Sequence, residues 1–157
     1  MARDAVQEPG EPPPREVDLY SWARRQAGLL RAGRLSEIDP AAIAEEIDEI
    51  GEAQYERLEN ALRVVMLNLL KWDHQPDRRS RSWALAVREH RRRARRQLQR
   101  NPGLEPRLEA ALRQAYSDAR EAAASETGLP PAVFPVERAL TYDDIMERAV
   151  VWSGEDP

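Results

Sequence analysis

Along this chain hydrophobic residues recur at intervals of three and four, while the alternation that a half-buried strand needs is almost absent. The pattern predicts a first helix that opens on Asp18 as its N-cap, presents Leu19, Trp22, Gln26, Leu29 and Leu30 on one side, and stops at Gly33. Asp39 followed by Pro40 reads as a second cap. Behind it runs the longest stripe in the sequence, through Ile43, Ile47, Ile50, Gln54, Leu58, Leu62, Val65, Leu69 and Trp72, with Gly51 as the place for a bend or a close helix contact. A helix of that extent is about 50 Å long at roughly 1.5 Å per residue.

Pro76 interrupts the pattern, and a third helix is expected from about Ser82 to Arg100 with Trp83, Val87, His90, Ala94 and Leu98 on one face. Asn101, Pro102 and Gly103 break the chain before a fourth, whose stripe is Leu104, Leu108, Ala111, Leu112, Ala115, Ala119 and Ala122. Gly128 with Pro130 and Pro131 behind it is a helix stop. An extended strap through Val133, Phe134 and Pro135 follows, and Thr141 with Asp144 forms a capping box for a short last helix carrying Ile145 and Met146. Each helix has one apolar stripe, and burying these against each other gives an all-α, mainly antiparallel bundle of about four helices, one of them long. The expected organisation is a disordered leader over residues 1–17, rich in proline and acid, a single helical domain over 18–149, and a tail over 150–157.

Composition narrows the class. Of 157 residues 41% are hydrophobic and 33% charged, with a mean hydropathy of −0.72, as in a folded protein with a polar exterior. The longest apolar run, Ala61 to Trp72, is broken by Arg63, Asn68 and Lys71, so no membrane partner is expected. The absence of cysteine excludes disulfides, thiolate metal sites and cysteine nucleophiles, and a cytoplasmic location is the expectation.

Charge is segregated. Between Asp77 and Arg100 stand ten arginines against only Asp77 and Glu89, in a chain whose net charge is −4. Arg88, Arg92, Arg95 and Arg96, with Arg78, Arg79 and Arg81 before them, make a candidate surface for an anion or a nucleic-acid backbone. The competing reading is that the acidic second helix, with Glu45, Glu49, Glu52 and Glu56, complements these arginines within the molecule or across a dimer. The corner around Arg78, Arg79, Ser80, Arg81 and Ser82 reads either as an anion site at a helix start or as a capped turn covered by Trp72 and Trp83.

The run Leu69, Leu70, Lys71, Trp72, Gln75, Pro76, Arg79, Ser80, Arg81, Ser82 and Trp83 resembles the bacterial family known as domain of unknown function twenty-nine. Supporting positions are Leu19, Tyr20 and Trp22, then Arg31, Gly33 and Leu35, then Ala44 to Ile47 with Ile50 and Gly51, and finally Glu126 to Pro130 with Phe134 and Pro135. The resemblance spans roughly Asp18 to Ile145, departs after Pro135, and implies a small all-helical protein without an assigned activity or catalytic residue.

No catalytic, cofactor or metal residue is assigned from the sequence. Carboxylate-bridged metal bundles use a Glu-x-x-His pair on each of two helices, and neither His74 nor His90 has a glutamate three residues earlier. Phosphate loops, nucleophile elbows and zinc motifs are missing. The expected function is a non-enzymatic interaction module that binds a protein partner or itself through its acidic and arginine-rich helix faces. The alternatives are a nucleic-acid-binding accessory protein using residues 78–100, and an enzyme with an anion site near the 76–83 corner.

Overall fold

The computed structural model describes residues 14–154. Five α-helices follow one another: α1 (Leu19–Arg31), α2 (Pro40–His74), α3 (Arg81–Arg100), α4 (Leu108–Thr127) and α5 (Tyr142–Met146). Short 3-10 segments at Leu35–Glu37, Pro76–Arg78, Pro102–Arg107 and Pro131–Val133 join them, and the described residues contain no strand. The protein is all-α, as the periodicity predicts. The chain divides between Glu49 and Ile50 into two compact units, with α2 one unbroken helix of 35 residues.

The caps read from the sequence set the helix starts. Asp18 accepts from the Ser21 amide at 2.9 Å, Asp39 from Ala42 at 3.0 Å, and Ser80 from Trp83 at 3.4 Å. Thr141 and Asp144 complete the reciprocal capping box at α5. Gly128 closes α4 at φ +70°, a left-handed conformation where glycine avoids the Cβ clash other residues meet. One boundary differs. The fourth α-helix begins at Leu108 instead of Leu104, because Pro106 removes an amide donor and the chain takes 3-10 form over Pro102–Arg107.

In the first unit, Arg15 donates to the Ala42 carbonyl at 3.3 Å and pairs with Glu45 at 2.8 Å. Gln26 accepts from the Asp39 amide at 3.0 Å, which ties α1 to the start of α2. Arg34 and Glu37 pair in the connection. Only Gln26 and Leu29 are fully buried between residues 14 and 49. The leader expected over 1–17 lies mostly outside the described residues; positions 14–17 form the turn that carries Arg15.

The second unit holds the core. Leu58, Leu62, Val65, Met66 and Leu69 of α2 meet Val87 and Ala94 of α3 and Ala111, Ala115, Ala119 and Ala123 of α4, all essentially out of water. Gln97 reaches Gln54 at one end while Lys71 sits over the Trp83 ring at the other, so α3 runs antiparallel to α2. Arg107 pairs with Glu52 and Lys71 with Glu126, so α4 runs parallel to α2. The alanines of α4 make that close approach sterically cheap. After Gly128 the strap turns back along α4, where Arg120 donates to the Phe134 carbonyl at 2.9 Å and the Tyr116 hydroxyl to that of Pro135 at 2.8 Å. Phe134 plugs the core with its ring 5.0 Å from that of His74.

The stripe of α2 does not stay buried along its whole length. From Leu58 onward it faces the core, whereas Ile47 and Ile50 stand more than 60% exposed. Gly51 shows neither a break nor a close contact: α2 is continuous through it, and nothing lies within 4 Å of where a Cβ would stand.

Candidate functional site

The arginines of α3 from Arg88 to Arg100 separate into three groups by what their guanidiniums touch. Arg91 points inward. Its Nε donates to the Ile145 carbonyl at 2.6 Å, NH1 to Arg148 at 2.7 Å and NH2 to Asp144 at 2.9 Å, so it holds the end of α5 against α3. Burial pushes its pKa down, and the neighbouring Arg95 adds to that, while three carbonyl dipoles compensate the charge. Its spacing with Val87, Ala94 and Leu98 places it on the core face, a register the sequence already displays.

The second group is tied to nearby carboxylates. Arg92 and Arg93 both pair with Glu89, at 2.7 and 2.9 Å, and hold its carboxyl below the usual range. Arg95 donates to the Met146 carbonyl and to Glu147, both at 2.8 Å. The third group, Arg88, Arg96 and Arg100, is exposed and makes no ion pair among the described residues.

Within the molecule, the carboxylates of the acidic helix meet partners other than the arginines of α3. Among the described residues, no ion pair joins the α2 carboxylates to Arg88, Arg92, Arg93, Arg95, Arg96 or Arg100. Glu45 and Glu46 meet Arg15, and Glu52 meets Arg107, whose guanidinium also stacks on Tyr55 at 3.8 Å. Glu49 and Glu56 are exposed. Glu52 meets Arg107 at the start of α4, although Gln54 two residues on meets Gln97 of α3.

At the corner before α3, Arg79 is committed to structure. Its Nε donates to the Trp72 carbonyl at 2.9 Å and its guanidinium lies 5.0 Å from the Trp72 ring. Ser80 caps α3 and shares a 2.8 Å hydrogen bond with Ser82. Arg78 is exposed, and Arg81 lines a groove with Leu85, Arg88 and Trp152. At this corner Arg79 is held by Trp72, while Arg81 lines the groove with Arg88.

A second groove lies between α2 and α3. It encloses about 270 Å³ and is lined by Arg57, Asn60, Ala61, His90, Arg93, Arg96 and Gln97. Arg57, in the middle of the acidic helix, was not singled out by charge segregation, because on the sequence it stands among glutamates. Among the described residues no three His, Asp or Glu side chains gather as a metal site, and no helix is long and apolar enough to cross a membrane.

No curated protein and no solved structure matches this chain. The family model described as Domain of unknown function DUF29 matches residues 16–151. That span takes in both compact units, the arginine helix and the strap, and the protein belongs to the DUF29 family.

Proposed function

We propose that the protein is a non-enzymatic helical interaction module that associates with a second copy of itself through the surface formed by α1 and the start of α2. The observation that carries this reading is the exposure of large apolar side chains there: Tyr20, Leu35 and Ile47 are each more than 60% exposed, and Leu19 and Leu30 more than 40%. Apolar surface concentrated in a segment with so little buried core is characteristic of a contact site. Charge favours a like partner. Arg24 and Arg31 on α1, and Asp48 and Glu49 on α2, are exposed and make no ion pair among the described residues. A surface carrying both signs complements itself in a two-fold arrangement, with α1 of one copy against α2 of the other.

Sedimentation equilibrium tests the proposal. The wild-type protein is expected to dimerise, Ile47→Asp to be monomeric, and Arg24→Glu with Arg31→Glu to weaken the dimer, with Asp48→Arg and Glu49→Arg restoring it. A wild-type protein that stays monomeric at about millimolar concentration, where even contacts of about 4 kcal/mol are populated, would sink the reading.

A second reading, binding of a nucleic-acid backbone by α3, is favoured by the exposure of Arg88, Arg96 and Arg100, none of which makes an ion pair among the described residues. Its mark is an affinity for RNA or DNA that falls steeply with salt and is reduced in Arg88→Gln.

A further inference from the structure

We infer that the groove between α2 and α3 is a binding site for the phosphate group of a small anionic ligand, at the scale of pyrophosphate. The site is independent of the association surface, since its lining residues fall between Arg57 and Gln97.

Three arginines from two helices line the groove, Arg57 from α2 and Arg93 and Arg96 from α3, together with His90, Asn60 and Gln97. No carboxylate lines it. Arg57 donates to the neutral Gln54 side chain at 3.3 Å, and Arg96 has no ion pair among the described residues. Glu89, which touches Arg93, already serves Arg92 as well, so the groove keeps an excess of positive charge. Like charges gathered along one groove repel each other and are relieved by a multivalent anion.

The groove is also held in shape. Gln97 donates to the Gln54 carbonyl at 2.8 Å and to its side-chain oxygen at 3.0 Å, which fixes one end. His90 places Nδ1 3.0 Å from the Ala86 carbonyl, which orients the ring. Forked guanidinium donors match the oxygens of phosphate, which a tetrahedral dianion supplies in greater number than a carboxylate. The volume is just below the range of about 300–1,000 Å³ usual for drug-sized ligands, and suits one or two phosphate groups. Aside from His90 the lining has no aromatic ring. Single-stranded nucleic acids gain about 1–3 kcal/mol per stacked base on aromatic platforms, so this lining favours a small phosphate ligand over a polymer.

The experiment is calorimetric titration of pyrophosphate into the wild-type protein, Arg57→Gln, Arg96→Gln and Arg88→Gln at low salt, with thermal melts of all four. Arg57 and Arg96 are exposed, so their variants are expected to melt with the wild type. One saturable site is expected, with Kd below about 1 mM, weakened about tenfold or more by R57Q and by R96Q and less than about twofold by R88Q. A labelled single-stranded RNA oligonucleotide competed with pyrophosphate separates the two sources of phosphate. Failure to saturate, an equal loss in R88Q, or RNA binding that R57Q abolishes and pyrophosphate does not displace would each overturn the inference.

Discussion

Arg91 and Ile145 are 54 residues apart in sequence, yet the guanidinium Nε of one donates to the carbonyl oxygen of the other at 2.6 Å, inside the protein. With its other two bonds Arg91 secures three backbone carbonyls around α5. The most basic stretch of the chain thus contains a structural core residue.

Replacing Arg91 by methionine keeps the aliphatic stem and leaves three carbonyls without donors. The expected cost is about 3 kcal/mol in urea denaturation, as hydrogen bonds to charged groups are worth about 1.5–3 kcal/mol each and part of the loss is recovered when water reaches the carbonyls. Faster hydrogen exchange of residues 141–150 should accompany it. An R91M protein as stable as the wild type would show that the clamp contributes nothing.

Phe134 is 1% exposed and packs edge-on against His74. Phe134→Ala is expected to destabilise by about 3–5 kcal/mol, and Phe134→Leu by about 1 kcal/mol. Similar losses for both in thermal melts would mean that the site does not read side-chain volume.

Gly51 lies within α2 with open space around it. Alanine there should stabilise the protein by about 0.5–1 kcal/mol, because glycine gives up more backbone freedom on entering a helix. At Gly128, where φ is +70°, the same substitution should cost about 1 kcal/mol. The opposite signs, compared in one denaturation series, make the pair its own control.

Asp144 accepts from the Thr141 amide at 2.8 Å and from its hydroxyl at 2.7 Å, and these bonds lower its pKa from the ordinary 3.8. The unfolded chain therefore binds this proton more tightly than the folded one. Its contribution to stability is complete above the unfolded value and disappears as pH falls through the folded value. Between about pH 5 and more acidic conditions, Asp144→Asn should lose less stability than the wild type. Parallel pH profiles of the two proteins would refute the assignment.

The helices, their caps and the capping box were legible because they depend on local chemistry: Asp18, Asp39, Ser80 and Thr141 each satisfy an amide three residues away. Arg91 was legible by register but hidden by its charge, which suggests solvent to any reading by residue type. Ile47 and Ile50 show the opposite limit. Periodicity fixes which side of a helix is apolar, but only tertiary structure decides whether something covers it. The α2–α3 groove was illegible for a third reason: it combines Arg57 with Arg93 and Arg96, residues that become neighbours only after two helices pair.

The clamp on α5 also sets an order of events during synthesis. Residues 58–127 supply three helices that can pair as they leave the ribosome, but the carbonyls that receive Arg91 belong to residues 144–148 and emerge later. Until then the growing bundle holds a charge on its core face with nothing to receive it, and this face stays open to water. Emergence of residues 144–148 is what closes it, so a polypeptide cut short before Asp144 carries its defect in the middle of α3 and not at its end.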